Sequence, residues 1–117
     1  MILIRLWQRH QISLFFLGGI LISFATLTPL TELPAQAPGS DKLHHIVGFG
    51  VWTLMVAAGN QKRMQYLCLA IFIWGGAIEL IQPYVNRYGE WLDFIANTAG
   101  ILLVYGITRL VKARYKE

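Results

Sequence analysis

Four long apolar stretches, joined by short polar segments, take up most of this sequence. They run over residues Ile12–Leu30, Leu43–Gly59, Tyr66–Gln82 and Phe94–Val111. A helix of about 17–19 residues, the length of each stretch, spans roughly 25–29 Å, which is close to the ~30 Å hydrocarbon thickness of a bilayer. We therefore predict an all-α fold, a four-helix transmembrane bundle that forms a single domain over residues 1–117.

The composition argues against a water-soluble domain. Of the 117 residues, 56% are hydrophobic and only 14% are charged, which is too apolar for an ordinary soluble protein of this size. A soluble protein built from four helices that are apolar all round would also lack the polar faces needed to cover its surface. The lone cysteine, Cys68, lies inside an apolar stretch and can form no internal disulfide.

The distribution of basic residues predicts the orientation in the membrane. With a cytoplasmic N-terminus, only Lys42 and Arg87 face outward, and the other basic residues flank the spans on the cytoplasmic side: Arg5, Arg9, Lys62, Arg63, Arg109, Lys112, Arg114 and Lys116. The positive-inside rule then predicts a multi-pass protein of the bacterial cytoplasmic membrane with both termini in the cytoplasm. The net charge of +4 belongs to membrane-flanking segments, so we expect membrane lipids as partners and no nucleic acid.

An acidic residue, Glu79, lies within the third apolar stretch. A carboxylate inside a membrane segment is costly, so it marks a site of function or of helix packing. Gln82 follows three residues later on the same side of the helix, near its outer end. Asp93 and Asn97, four residues apart, open the fourth helix at the same side of the membrane.

The second helix begins with further polar residues at this outer side. Asp41 and His45 are four residues apart and can face the same cleft, whereas His44 is rotated by ~100° and points elsewhere. We predict a polar pocket open to the outer leaflet, lined by Asp41, Lys42, His45, Glu79, Gln82, Arg87, Asp93 and Asn97. Lys42 and Arg87 would pair with the carboxylates at rest and contact the phosphate of an anionic envelope lipid.

Other chemistries fit the sequence less well. Asp41, His45, Glu79 and Asp93 could supply a zinc-like ligand set. However, the sequence has no His-x-x-x-His or His-Glu-x-x-His spacing, so we predict no metal and no cofactor. No serine or cysteine motif for nucleophilic catalysis is present on the outer side, and the largely apolar inner halves of the helices disfavour an ion relay across the membrane.

The residues at the outer side resemble the VanZ-like family of small bacterial integral membrane proteins. The matching segments are Ser40-Asp-Lys-Leu-His-His45, Gly75-Gly-Ala-Ile-Glu-Leu-Ile-Gln82, Arg87 and Leu92-Asp-Phe-Ile-Ala-Asn-Thr-Ala-Gly100. They contain, in order, the Asp-Lys pair with a following histidine, the Glu-x-x-Gln, the arginine and the Asp-x-x-x-Asn-x-x-Gly of that family. The founding member is associated with resistance to the glycopeptide teicoplanin, and most relatives have no assigned activity.

The sequence is compatible with three functions. The first is a pocket that binds an anionic envelope or cell-wall lipid and influences glycopeptide (teicoplanin) sensitivity. The second is a membrane enzyme that acts on a lipid-linked substrate, with carboxylate and histidine side chains as acid and base. In the third, the polar residues only lock the packing of a structural bundle.

Overall fold

The computed structural model describes residues 1–29 and 41–115, and these residues form an all-α protein. In chain order the helices are α1 (Ile2–Arg9), α2 (Gln11–Leu27), α3 (Asp41–Met55), α4 (Gln61–Ile81) and α5 (Trp91–Arg114). A short 3-10 turn, Gln82–Val85, continues α4. The described residues contain no strand. The predicted all-α class is therefore confirmed.

The long helices pack as an up-and-down bundle in which α3 makes its most extensive contact with α5. Buried apolar side chains, including Phe49, Trp52, Met64 and Ile71, form the core. A Cβ atom added at Gly100 of α5 would overlap the carbonyl oxygen of Ile46 in α3. Glycine at this position therefore allows the two helix backbones to approach closely.

Fewer helices have the length of a membrane span than the sequence predicts. Two described helices are long and apolar enough, α4 with its 3-10 turn (Gln61–Val85) and α5. The pair α1 and α2 passes the same test only as a unit bent by 69°, which gives three spans if the pair counts as one. With 15 residues, α3 is about 22 Å long and too short on its own. The count is two to three spans, where the sequence predicts four.

The N-terminal helix α1 is an element that the sequence analysis does not predict. Its polar residues Arg5, Gln8 and Arg9 recur at helical spacings of three and four, so they share one face. Leu3 and Leu6 lie on the other side and are exposed. An amphipathic helix with a basic face is typical of segments that lie in a membrane interface.

The two ends of the bundle differ in what their polar side chains contact. We call the end at which α2 and α4 terminate and α3 and α5 begin the acidic end, after Asp41, Glu79 and Asp93. The opposite end contains the start of α2 and the end of α3. Polar side chains of Trp7, Gln11 and Lys112 gather there.

At the opposite end, these side chains donate hydrogen bonds to backbone carbonyl oxygens near the end of α3. Trp7 Nε1 donates to Met55 at 2.6 Å, Gln11 Nε2 to Val56 at 2.8 Å and Lys112 Nζ to Gly59 at 2.9 Å. The last carbonyl groups of a helix have no partner within the helix. Met55 is the last residue of α3, and Val56 and Gly59 lie in the segment that follows it. The three donors satisfy carbonyl groups at and just after this helix end, which falls four residues before the end of the predicted span.

Candidate functional site

The acidic end gathers polar side chains from three helices and buries most of them. Asp41, Lys42 and His45 come from the first two turns of α3, Glu79 from the last turn of α4, and Asp93 and Asn97 from the start of α5. The buried ones are His45, Glu79, Gln82, Asp93 and Asn97. Burial of so many polar groups requires partners for them.

His45 lies at the centre of this group. Its Nδ1 is 2.7 Å from Asn97 Oδ1, and because an amide oxygen only accepts, Nδ1 carries the hydrogen. Its Nε2 faces Asp41 Oδ2 at 3.9 Å and Asp93 Oδ2 at 3.8 Å. The imidazole therefore bridges α3 and α5 through one nitrogen and presents the other to two carboxylates.

Lys42 forms the closest ion pairs at the acidic end. Its Nζ lies 2.6 Å from Glu90 Oε2 and 2.8 Å from Asp93 Oδ1. Hydrogen bonds to Asp93 and then to Glu90 raise the pKa of Lys42 above its ordinary value, so the ammonium group stays charged. The side chain is 38% exposed, which leaves it accessible from solvent.

Glu79 is held by the segment that leads into α5. The backbone N–H of Glu90 donates to Glu79 Oε2 at 3.1 Å, while Oε1 is buried 3.8 Å from His45 Nδ1. A Cβ atom added at Gly89 would overlap the carbonyl oxygen of Glu79. Glycine at position 89 thus lets the loop close over the end of α4.

Arg87 contacts a different group from the one that the sequence predicts. Among the described residues it pairs with no carboxylate, and its Nη1 donates to the carbonyl oxygens of Ala25 at 3.1 Å and Thr28 at 2.9 Å. Within a helix the carbonyl of Ala25 would accept from position 29, but Pro29 has no N–H to donate. Arg87 supplies the missing donor, and a cation is favourable at a helix C-terminus.

Gln82 also contacts the end of α2. Its Nε2 donates to the carbonyl oxygen of Thr26 at 3.0 Å, while its Oε1 is buried with no hydrogen-bond partner among the described residues. Gln82 and Arg87 line the same cavity as Asp41 and His45, yet their hydrogen bonds hold α2 in place. Of the eight residues predicted to line a pocket, Gln82 and Arg87 therefore anchor α2 at the edge of the group. The other six form its centre: Asp41, Lys42, His45, Glu79, Asp93 and Asn97.

Glu90 and Tyr88 also line the cavity and are not among the site residues predicted from the sequence. Glu90 is the residue that precedes α5, a position where a carboxylate favours the helix dipole. Its side chain does not cap the helix and pairs with Lys42 instead. The sequence feature that could have identified Glu90 as a site residue is its position at the start of α5, three residues before Asp93. Both residues then lie at the end of the bundle where α3 begins.

Two adjoining depressions open at the acidic end. A polar cavity of about 230 Å³ is lined by Asp41, His45, Gln82, Arg87, Tyr88, Glu90 and Asp93. A larger, mainly apolar groove of about 450 Å³ runs between α4 and α5, and its lining includes Leu80, Tyr84, Trp91 and Phe94. Glu90 lines both the cavity and the groove. A charged cavity therefore lies directly beside an apolar surface.

Fold and site together define a small all-helical protein with two to three helices of membrane-spanning character and a buried polar cluster at one end. The model of the VanZ/LLP1 family matches residues 3–112. The chain belongs to the VanZ/LLP1 family, which confirms the resemblance found in the sequence. No curated protein and no solved structure matches it.

Proposed function

We propose that this protein binds an anionic, phosphate-bearing lipid of the bacterial envelope at its acidic end. The headgroup occupies the polar cavity and an acyl or prenyl chain lies in the groove between α4 and α5. The protein acts as one domain in the cytoplasmic membrane. We infer four spans, formed by α2, α3, α4 and α5, in which residues 56–59 extend the 15-residue α3 across the bilayer. Both termini are then cytoplasmic, and the acidic end faces the outer leaflet.

The observation that carries this proposal is the contact between a polar cavity and an apolar groove through Glu90. A ligand pocket usually combines apolar walls with a few placed polar groups. Here the polar lining and the apolar lining form two adjacent surfaces, as the headgroup and the chain of an amphiphile do. A water-soluble ligand would leave the groove exposed, and a hydrocarbon would leave the charged cavity without a partner.

Two cations support a phosphate as the ligand group: Arg87 lines the cavity, and Lys42 lies beside it, paired with the lining residues Glu90 and Asp93. Lys42 is partly exposed and already bound to two carboxylates, so a phosphate can take over one of its hydrogen bonds. Arg87 lines the cavity while its Nη1 holds the end of α2. Glutamate and aspartate side chains exceed these cations in number, and a phosphate must therefore enter together with a neutralising proton or cation.

The positions of the basic residues support the orientation. Lys42 and Arg87 lie at the acidic end, whereas Lys62, Arg63 and Arg109 lie near the opposite end of the bundle. Under the positive-inside rule this distribution supports the proposal that the opposite end faces the cytoplasm. An effect on teicoplanin sensitivity would follow if the bound lipid is a cell-wall precursor carrier.

Native mass spectrometry of protein purified in mild detergent tests the lipid proposal. We expect the wild type to retain an anionic phospholipid or polyprenyl phosphate. Lys42→Gln should reduce the retained fraction at least tenfold. Lys62→Gln, the matched lysine change at the opposite end, should leave it unchanged. Equal retention by the three proteins, or no retention by the wild type, would refute the proposal.

An acid–base enzyme acting on a lipid-linked substrate is a second candidate. It is favoured by the buried His45, which Asn97 orients while Asp93 lies near its other nitrogen. That arrangement suits a general base or acid. Turnover of a lipid phosphate that is lost in His45→Gln and kept in His44→Gln would support the enzyme. Lipid retention without turnover would favour binding alone.

The structural alternative is tested by the same variants. If the acidic end only locks packing, Lys42→Gln and His45→Gln lower the yield of folded protein and no lipid is retained by the wild type. Antibiotic sensitivity of cells carrying these variants then follows protein abundance. A change in teicoplanin sensitivity at unchanged abundance would instead indicate a site.

A further inference from the structure

Three hydrogen-bond acceptors converge at the acidic end without hydrogen bonds between them. Asp41 Oδ2 and Asp93 Oδ2 lie 3.9 Å and 3.8 Å from His45 Nε2. The ligand atoms of these three residues all lie within 4.8 Å of one another. Asp41 and His45 are one turn apart on α3, and Asp93 faces them from α5.

These separations are too long for hydrogen bonds and fit shared coordination of one ion. A protonated imidazole paired with a carboxylate would bring N and O to about 2.7–2.9 Å. Two ligands that are each ~2.0–2.2 Å from one metal ion lie roughly 3–4 Å apart. Lys42 offsets the charge of Asp93 from the Oδ1 side. A cation between the two Oδ2 atoms and the imidazole lone pair would remove the repulsion that is left.

The orientation of His45 is the one that metal-binding histidines have. Asn97 accepts from Nδ1–H, which leaves the lone pair of Nε2 directed at the two carboxylates. In metal sites the second ring nitrogen of a ligand histidine typically donates to such an outer partner, which fixes the tautomer. Asn97 is therefore a positioning residue for the imidazole.

A fourth acceptor in the same cavity gives an independent indication of a cation. Gln82 is 1% exposed, and its Oε1 has no hydrogen-bond partner in the described part of the chain. Its amide nitrogen is turned to Thr26, so the oxygen is the end left for the cavity that it lines with Asp41 and His45. A buried acceptor without a donor is costly, and a cation or its bound water would satisfy it.

We propose that Asp41, His45 and Asp93 bind a divalent transition-metal ion of the Zn²⁺ type, with the fourth position open to the cavity. An imidazole with two carboxylates suits Zn²⁺ better than Mg²⁺. A histidine motif within one helix is not required here, because the third ligand comes from α5. Lys42 pairs with Oδ1 of Asp93, and Oδ2 faces His45.

The ion has a consequence for the proposed lipid site. It neutralises the excess carboxylate charge, and its open position can take a phosphate oxygen of the headgroup. This consequence rests on the proposed function, whereas the metal site itself rests on the distances between Asp41, His45 and Asp93 and on the unpaired Gln82 oxygen among the described residues.

Calorimetric titration of Zn²⁺ into EDTA-treated, lipid-free protein in detergent tests the site. We expect one Zn²⁺ per chain in the wild type and at least a tenfold loss of affinity in Asp41→Asn and in His45→Gln. His44→Gln should stay within twofold of the wild type. Asn97→Ala should weaken binding about 10–100-fold, as outer partners of metal ligands do.

Asp41→Asn keeps the test decisive because the Asp41 side chain is 52% exposed, so the isosteric amide disturbs no buried packing. Absence of stoichiometric binding by the wild type would overturn the metal site, and so would unchanged affinity in Asp41→Asn. The titration contains no envelope lipid, so such a result leaves the lipid proposal to its own test.

Discussion

The two ends of the bundle use buried polar side chains in different ways. At the opposite end, Trp7, Gln11 and Lys112 each donate to a backbone carbonyl near the end of α3. At the acidic end, the carboxylates of Asp41 and Asp93 face the imidazole of His45. Buried acceptors without hydrogen-bond partners among the described residues occur at both ends, at Gln11 and Gln61 as well as at Glu79 and Gln82. What distinguishes the acidic end is that ionisable side chains from two helices converge there, whereas the opposite end joins single side chains to backbone.

The largest effect on stability is expected where the helix backbones touch. Gly100→Ala places a Cβ atom against the carbonyl oxygen of Ile46, so α3 and α5 must separate. We expect a loss of about 1–3 kcal/mol in the free energy of unfolding, as for other overpacked sites. Gly106→Ala on the same helix is the control, because nothing lies within 4 Å of the added atom. Unfolding in mixed micelles measures both, and equal effects would contradict this packing.

The next effect concerns the opposite end alone. Gln11→Met removes the donor to the Val56 carbonyl and should cost about 1–3 kcal/mol of unfolding free energy, the usual penalty for a buried unsatisfied group. Lipid and Zn²⁺ binding by the folded protein should be unchanged. If Gln11→Met abolished binding in folded protein, the two ends would not be functionally separate.

Arg87 sharpens the comparison because it lies at the acidic end but contacts backbone. Arg87→Met removes both hydrogen bonds to the end of α2 and should lower the free energy of unfolding by about 1–2 kcal/mol. Arg109→Met is the matched control, since the Arg109 side chain lies at the Tyr105 ring and hydroxyl on the exposed surface. A loss of lipid retention at unchanged stability would assign Arg87 to the ligand instead.

The smallest stability effect is expected at Asp41. Its side chain is half-exposed and 3.9 Å from His45, so Asp41→Asn should change the free energy of unfolding by no more than ~0.5 kcal/mol. The same substitution should still lower Zn²⁺ affinity. Thermal unfolding of the metal-free protein checks the first part, and a loss of several degrees there would mean that Asp41 stabilises the fold.

Helix content and the polar set were accessible from the sequence because both depend on local spacing. The apolar stretches predict α2, α4 and α5, and the spacing of four between Asp41 and His45 predicts a shared face. The bend at His10 and the early end of α3 depend on side chains that contact carbonyls about 45 residues away, such as Gln11 at Val56. Contacts of that kind are set by how helices pack, and no local pattern encodes them.

The partners of individual charged residues were likewise beyond the sequence. The sequence predicts Arg87 beside a carboxylate, but Pro29 leaves the carbonyl of Ala25 without an N–H, and Arg87 lies close enough to donate to it. Glu90 directly precedes α5, where its side chain could equally cap the helix. Only the packing of α3 against α5 makes Lys42 its partner.

Site-specific photocrosslinking in cells tests most directly whether the acidic end is the ligand-binding end. A photoreactive phenylalanine analogue replaces either Tyr88, which lines the polar cavity, or Tyr66. Tyr66 is an exposed tyrosine near the start of α4, toward the opposite end of the bundle. We predict that position 88 captures a phosphate-bearing envelope lipid, that position 66 does not, and that Lys42→Gln removes the product. Equal capture at both positions, or capture insensitive to Lys42, would contradict the account.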